Sequence, residues 1–394
     1  MNVNTLLSLT GQALAALTIP GTIELGLLSL GSALYRPVPR KVSRKALPQL
    51  AIVIPAHNES GSILACLRSL QACKSFWELA TIFVVADNCT DDTAQLAHDA
   101  GVQVLERSDD RLRGKGHALN FAFQRLVPLC FDAFVVVDAD SSVHANFIVE
   151  FSTAFALGAD AVQCPYLVDD PEQTPLLDIA LRAFNLVRPR GRDHFGLSAG
   201  ILGNGFALSR QVLERIPYTA DSVVEDLEYH MHLVQAGIRV QHLSTTCVRG
   251  AMPQSGAGRA TQRARWEGGR LRMAVEKGPR LIEKIQQGHW RSAELLLDLL
   301  TLPLAYHALL LTVALALPSS AGRGIAIAGL AVLLLHVAAA VKVGTSVASD
   351  LFTLATAPLY VLWKLRQIPL TLRASGRAAA WVRTARANEE ATIA

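Results

Sequence analysis

The sequence predicts an α/β domain built on a mostly parallel sheet and flanked by transmembrane helices. Three observations carry this expectation. From about residue 48 to 285 short apolar runs alternate with amphipathic stretches, the sequence form of parallel strands joined by crossover helices. Long apolar runs lie on both sides of that region. The chain as a whole, 394 residues with 51% hydrophobic and 18% charged and a mean hydropathy of +0.30, is more apolar than an ordinary soluble protein.

Taken in order, residues 6 to 35 are apolar for longer than the roughly 20 residues a bilayer requires, although Pro20 and Glu24 interrupt them. No basic segment precedes the run and no small-residue cleavage site closes it, so an anchor is expected and not a cleaved signal peptide. Arg36, Arg40, Lys41, Arg44 and Lys45 follow and place that end at the cytoplasmic face, giving residues 1–46 as anchor and basic flank. Residues 47–290 form the α/β domain, with strands at AIVIPA, TIFVVAD, VQVLER, AFVVVDAD and DAVQCPY.

Residues 291–345 hold two further spans, Leu295 to Leu317 with Asp298 and His307 embedded, and Gly324 to Val341, joined by PSSAGR. Residues 346–394 are an interfacial helix, LFTLATAPLYVLWKL, and a basic tail. Lys364, Arg366, Arg373, Arg377, Arg383 and Arg386 at or after that run keep it on the inner side. The expectation is an integral membrane protein, of the bacterial inner membrane type, with a cytoplasmic catalytic domain.

A net charge of +4 raises the question of nucleic acid, but the basic residues crowd beside apolar runs and form no stripe with interleaved aromatics. A membrane surface or an anionic small substrate fits better, and no nucleic acid partner is expected. The six cysteines show no C-x-x-C pair and read as small core residues of a reduced compartment.

Ligands of open parallel sheets bind beyond the carboxyl ends of the strands, so polar residues that end apolar runs come first. AIVIPAHNES ends on His57, Asn58 and Glu59, TIFVVADNCTDD on Asp87 and Asn88, and AFVVVDADSS on Asp138 and Asp140. If the last strand runs far enough, Asp138 and Asp140 leave one face and can share a hard cation. The bland alternative is that Asp ends strands because it favours turns and caps. Lys115, between glycines at the start of a helix, can meet a phosphate together with free backbone amides. A solvated basic turn is the competing reading.

Ser222 and Glu225 have the spacing of a capping box, which gives Glu225 a structural role. Asp226 is not explained that way, and a carboxylate in a first helical turn is held ionised and can serve as a general base. In TQRARWEGGR, Gln262, Arg265 and Trp266 fall at i, i+3 and i+4 on one helix face. Arg offers a donor fork for a diphosphate and Trp a flat surface for a sugar ring. An interfacial helix resting at lipid headgroups is the alternative.

In this order, VIPAHNES, VVADNCTDD, GKGHALN, VVVDAD, VVEDLE and QRARW resemble the successive motifs of membrane-bound family 2 glycosyltransferases, the group of cellulose synthase, hyaluronan synthase and ceramide glucosyltransferase. The resemblance covers about residues 50 to 270, and Q-x-x-R-W is its most specific element. It implies a GT-A nucleotide-sugar domain and an inverting, hexosyltransferase-type reaction. It implies that Pro55 and Ala56 line the substrate site, that Glu59 and Asp87 contact the nucleoside of a UDP-linked donor, and that Lys115 contacts the diphosphate. Asp138 and Asp140 would hold the nucleotide and a Mg or Mn ion, and Asp226 would be the base. Gln262, Arg265 and Trp266 would hold the diphosphate and the acceptor. Read from the residues themselves, AGILGNGFALSR is an acceptor-side loop in which Gly203, Asn204 and Gly205 permit close backbone approach, with an ordinary turn before a helix as the alternative, and Glu225 is placed with the substrate-binding residues.

Polymer-extruding relatives thread their product through many helices, whereas hydropathy offers about three spans here. Transfer to a lipid-linked or glycolipid acceptor in exopolysaccharide or glycolipid synthesis is therefore expected. The alternatives are a short processive polysaccharide synthase subunit and a non-catalytic nucleotide-sugar-binding membrane protein. A sugar nucleotidylyltransferase also pairs lysine with aspartate, but no glycine-rich G-x-G-T-R loop follows the first strand.

Overall fold

The computed structural model describes residues 2–37, 47–220, 222–252 and 256–376. Arg40, Lys41, Arg44 and Lys45 of the basic flank and Arg377, Arg383 and Arg386 of the tail lie outside the described residues. The chain divides into a helical unit, Met1–Tyr35, Pro171–Leu197 and Ala260–Ala379, and a sheet unit, Arg36–Asp170, Ser198–Arg259 and Ala380–Ala394.

In the sheet unit, strands β1 (Leu50–Ala56), β2 (Ala80–Asp87), β3 (Gln103–Arg107) and β4 (Ala133–Val136) follow the predicted runs. β5 (Ser141–Val143), β6 (Ala161–Gln163), β7 (Tyr166–Val168), β8 (Phe206–Ser209), β9 (Val240–His242) and β10 (Val248–Gly250) complete the described set. The larger sheet has the order β3-β2-β1-β4-β8-β6-β9, and its pairs are parallel except those of β8 with β4 and β6. β5, β10 and β7 form a small second sheet.

β1 is apolar throughout because both of its faces are covered. Leu50, Ile52 and Ile54 pack into one layer with Leu67 and Leu70 of helix Ile63–Gln71 and with Phe147 and Phe151 of helix Phe147–Ala156. Ala51 and Val53 face the other, with Leu119 and Phe123 of helix Lys115–Leu126 and Tyr229 and Leu233 of helix Glu225–Gln235. From β1 the chain walks outward through β2 and β3, then returns to add β4 on the opposite side. The carboxyl ends of β1 and β4 therefore form a topological switch point, where such sheets bind ligands.

Two strand expectations are corrected. β4 stops at Val136: the Val137 N–H still reaches Val53 O at 3.1 Å, but the Asp138 N–H turns to the Asn204 side chain at 3.1 Å, so Asp138 and Asp140 lie past the ladder and not on one strand face. DAVQCPY divides into β6 and β7 because Pro165 has no N–H to continue the pairing.

In the helical unit, helices Val3–Leu34 and Ser320–Lys342 are, among the described residues, the two long and apolar enough to cross a membrane. The single span expected over Leu295 to Leu317 is broken. Helices Arg291–Leu300 and Leu304–Ala316 meet at 71°, and only together would they make a third crossing. Pro303 causes the break, since it lacks an N–H and pushes the residue before it toward extended backbone.

The embedded carboxylates of these apolar segments are paired, Glu24 buried and Asp298 largely so. Glu24 Oε1 accepts from Arg192 Nη1 at 2.8 Å and Arg188 Nη2 at 3.4 Å, and Asp298 Oδ1 accepts from Arg188 Nη2 at 2.5 Å. Arg182 pairs with Asp350 at 2.8 Å. These arginines draw Pro171–Leu197 into the helical unit, although the segment falls inside the expected 47–290 domain, and the chain from Ala260 onward joins the same unit. The stretch LFTLATAPLYVLWKL, expected as one interfacial helix, is divided between two, Val347–Leu354 and Ala357–Leu365, and a third short helix, Ile368–Ala374, follows; the last two have Pro358 and Pro369 in their first turns. Their polarity is reversed: Phe352 and Leu359 are 81% and 71% exposed, while Asp350 and Lys364 are buried.

Candidate active site

Beyond β1 and β2 the chain turns on two asparagines in the left-handed region, Asn58 (φ 56) and Asn88 (φ 50), a conformation asparagine tolerates better than most residues. Their side chains tie neighbouring loops together: Asn58 Oδ1 accepts the Thr90 N–H at 2.7 Å, and Asn88 Oδ1 accepts the Asp109 N–H at 2.7 Å. Pro55 and Ala56 sit past Val53, the last β1 residue paired with β4, so proline's missing N–H leaves no gap in that ladder. Glu59 has its N–H on Thr93 Oγ1 at 2.8 Å and accepts the Ser62 hydroxyl on Oε2 at 2.8 Å.

Asp87 is buried at the end of β2, where Arg107 Nη1 donates to its Oδ1 at 2.6 Å. Burial pushes the Asp87 carboxyl above the ordinary aspartate value, against the hydrogen bond and charge of Arg107. Arg107 is a residue that sequence reasoning missed. Its signal was a charged residue closing the VQVLER run, as Asp87 closes TIFVVAD.

The centre of the site is built on Lys115. Gly114, at φ 122, turns the chain into helix Lys115–Leu126, and Gly116 allows close contact, since a Cβ there would meet Ala220 O at 2.3 Å. The Lys115 ammonium donates to the Asp138 carboxylate and to Gly203 O, the latter at 2.5 Å. Burial pulls the Lys115 pKa down, but the charges of Asp138, Glu225 and Asp226 and the bond to Asp138 outweigh it, and the group lies above the ordinary lysine value. Lys115 therefore stays charged at neutral pH.

Gly203, at φ 79, brings the other side of the cluster in: a Cβ on it would lie 3.2 Å from Asp226 Oδ2. Asp226 stands in the first turn of helix Glu225–Gln235, and its Oδ1 accepts the Leu227 N–H at 2.8 Å. Asn204 closes the ring. Its Oδ1 holds the Asp138 N–H, and its Nδ2 donates to Ser141 Oγ at 2.8 Å, beside Asp140. Lys115, Asp138, Gly203, Asn204 and Asp226, expected separately, are thus brought together.

Sequence reasoning also missed Gln163, which fixes this loop. Buried in β6, it donates through Nε2 to Asn204 O at 2.7 Å and Gly205 O at 3.1 Å, and accepts the Leu202 N–H at 2.8 Å. A lone glutamine in an apolar run carries no periodic signal. The capping box of Ser222 and Glu225 is not formed: the Ser222 N–H donates to Glu228 Oε2 at 3.1 Å, and Glu225 lies beside Gly116.

Among the described residues no group of three or more His, Cys, Asp or Glu side chains stands ready to hold a metal ion. Asp138 and Asp140 offer hard carboxylate oxygens two residues apart, a donor set that suits Mg or Mn completed by phosphate oxygens and not a closed protein cage. Gln262, Arg265 and Trp266 lie in the helical unit, half-buried and on one face of helix Gly256–Gln286.

A family model described as glycosyltransferase like family 2 matches residues 48–269, more than half of the chain. The chain belongs to this family. The glycosyltransferase is 25% identical over 247 residues to the probable glycosyltransferase YdaM of Bacillus subtilis, covering 59% of this chain and 58% of that protein. It is 34% identical over 79 residues to the low-salt glycan biosynthesis hexosyltransferase Agl6 of Haloferax volcanii, 20% of this chain and 18% of that one. The matches thus span little more than half of the first relative and under a fifth of the second. Among solved structures, the mannosyltransferase PcManGT from Pyrobaculum calidifontis in complex with GDP-Man and Mn2+ aligns with a TM-score of 0.52 at 19% identity, over 94% of this chain and 99% of that chain. The glycosyltransferase has the GT-A fold, a mixed α/β domain with a mostly parallel sheet and an apolar helix on either side in sequence.

Proposed function

We propose that this glycosyltransferase moves a sugar from a nucleotide-sugar donor, with inversion, to a lipid-linked acceptor at a membrane, in exopolysaccharide or glycolipid assembly. The observation that carries the reading is the meeting of Lys115, Asp138, Gly203 and Asp226 beyond the switch point of a GT-A sheet.

The acceptor hydroxyl oxygen attacks the anomeric carbon while Asp226 takes the hydroxyl proton. The bond from that carbon to the diphosphate oxygen breaks, and the nucleoside diphosphate leaves with the electron pair. Lys115, held charged by its carboxylate neighbours, meets the negative charge where it develops. Asp138 and Asp140 would hold a divalent ion, which would supply further stabilisation of that charge. Pro55, Ala56, Glu59 and Asp87 form the nucleoside side, with Asp87 braced by Arg107. Asn204 and Glu225 flank the sugar, and Gln262, Arg265 and Trp266 hold diphosphate and acceptor.

Helices Val3–Leu34 and Ser320–Lys342 support residence in a membrane, and the basic residues that follow Tyr35 favour the cytoplasmic side for residues 47–290. The two spans among the described residues, or three with the bent pair, are too few for one chain to enclose a polar channel, which favours single addition over polymer extrusion.

The test is nucleoside diphosphate release by the full chain in lipid nanodiscs, against a panel of UDP- and GDP-sugars with extracted membrane lipids as acceptor. Release that depends on the lipids is expected, and Asp226→Asn should lower it by about 10²–10⁴-fold with an unchanged melting temperature. An unaffected variant removes Asp226 as the base. Release of pyrophosphate instead would make the protein a nucleotidylyltransferase.

A further inference from the structure

The helix that carries Gln262, Arg265 and Trp266 is gripped on its neighbouring stripe by residues with no part in the chemistry above. Arg263 and Glu267, one turn apart, face helix Ala357–Leu365, whose Tyr360, Trp363 and Lys364 share the i, i+3, i+4 spacing of one face. Arg263 Nη1 donates to Tyr360 OH at 2.8 Å, and its guanidinium lies 5.2 Å from the Tyr360 ring centre and 5.7 Å from that of Trp363. The Lys364 ammonium donates to Glu267 and lies 5.1 Å from the Tyr306 ring centre. At Gly268 the next helix, Ile368–Ala374, comes so close that a Cβ would meet Thr371 O at 2.7 Å.

Lys364 is a costly way to fill space. Its side chain is 2% exposed, on a helix whose Leu359 and Leu362 point outward, so the ammonium is turned away from the open side. An apolar residue would pack there without the desolvation penalty of a buried charge. What a buried pair adds over apolar packing is a fixed register. The register set here, at 263, 267 and 268, interleaves with 262, 265 and 266 on the same two turns.

We propose that Lys364, with Tyr360 and Trp363, is a positioning element that fixes the rotation of helix Gly256–Gln286, and thereby the aim of Gln262, Arg265 and Trp266. The inference rests on the reading that these three hold the donor diphosphate. Its test uses the full chain in nanodiscs, with UDP and GDP as probes in the presence of Mn2+ and affinity measured by calorimetry. Lys364→Met and Glu267→Gln should each weaken nucleoside diphosphate binding by about tenfold, in keeping with loss of one partner of a buried pair. Glu267→Lys combined with Lys364→Glu should recover most of it. Tyr360→Phe, which removes one hydroxyl and leaves the packing, should weaken binding by about threefold.

A purely structural role lowers the fraction of active protein and leaves the dissociation constant unchanged, and that result in folded variants would overturn the proposal. Should the charge variants not fold, an unchanged dissociation constant in Tyr360→Phe overturns it equally. Gln262→Ala and Trp266→Ala separate the two ideas. If these weaken binding while the Lys364, Glu267 and Tyr360 variants do not, the clamp fails and the diphosphate reading stands. If they do not, or if the wild-type chain binds neither UDP nor GDP, the reading fails and the inference falls with it.

Discussion

The sheet unit and the helical unit both hold cations against carboxylates, and the two sets of pairs differ in what surrounds them. Lys115 and Asp138 are 20% and 30% exposed in their side chains, at the open end of a sheet. Arg192 and Glu24 are 4% and 6% exposed, among helices. A pair of the first kind can trade its partner for a phosphate at small cost, because solvent already shares the charge. A pair of the second kind cannot, because each charge depends on the other for its solvation. Between these two pairs exposure, more than residue type, makes the difference; the Arg107–Asp87 pair of the sheet unit, at 7% and 8% exposed, is as enclosed as the second kind and acts as a fixed brace.

Lys115→Met puts the largest strain on that contrast. Activity should fall by about 10²–10³-fold, the scale of removing one preorganised donor to a developing charge. Stability should change little, since Asp138 remains solvated. Nucleoside diphosphate release and a thermal melt of the same preparation read both, and a large drop in melting temperature with full residual activity would reverse the assignment. Arg192→Met is the mirror experiment. It leaves Glu24 buried with part of its donor set gone, and should destabilise the helical unit by about 3–5 kcal/mol. If the protein melts as the wild type does, the helical network is not what fastens the helices.

Much of this architecture was legible in the sequence, and the failures have identifiable causes. The first four strands and the helices at Lys115 and Glu225 followed from apolar runs and their periodicity, because burial on both sheet faces leaves a continuous signal. Lys115, Asp138, Gly203 and Asp226 were each visible as polar residues or glycines at run ends, but their meeting was not, since it depends on the positive φ of Gly203 and on Gln163 pinning the loop. Arg107 was hidden for a related reason: its role exists only through Asp87, twenty positions away. The span over Leu295 to Leu317 is bent where a continuous helix was expected, because hydropathy is averaged over a window in which one proline at 303 weighs little, while backbone hydrogen bonding is local. Lys364 was counted among cytoplasmic charges by the same averaging, and the structure turns it inward onto Glu267.

The smallest predicted effect on turnover is the sharpest test of how the site is assembled. Gly203 and Gly200 both lie in the left-handed region, at φ 79 and φ 98, so alanine at either costs about 1–2 kcal/mol in backbone strain. They differ in surroundings: a Cβ at Gly200 meets nothing within 4 Å, whereas one at Gly203 would press on Asp226 Oδ2 at 3.2 Å. The Gly203 carbonyl also holds the Lys115 ammonium, so a shift of this peptide moves base and cation together. Gly203→Ala should therefore lower kcat by about tenfold beyond Gly200→Ala, a displacement worth about 1.4 kcal/mol in the transition state, with melting temperatures that fall alike. Equal losses of kcat in the two variants would mean that the loop contributes only its backbone shape, and that Asp226 does not depend on Gly203 for its position.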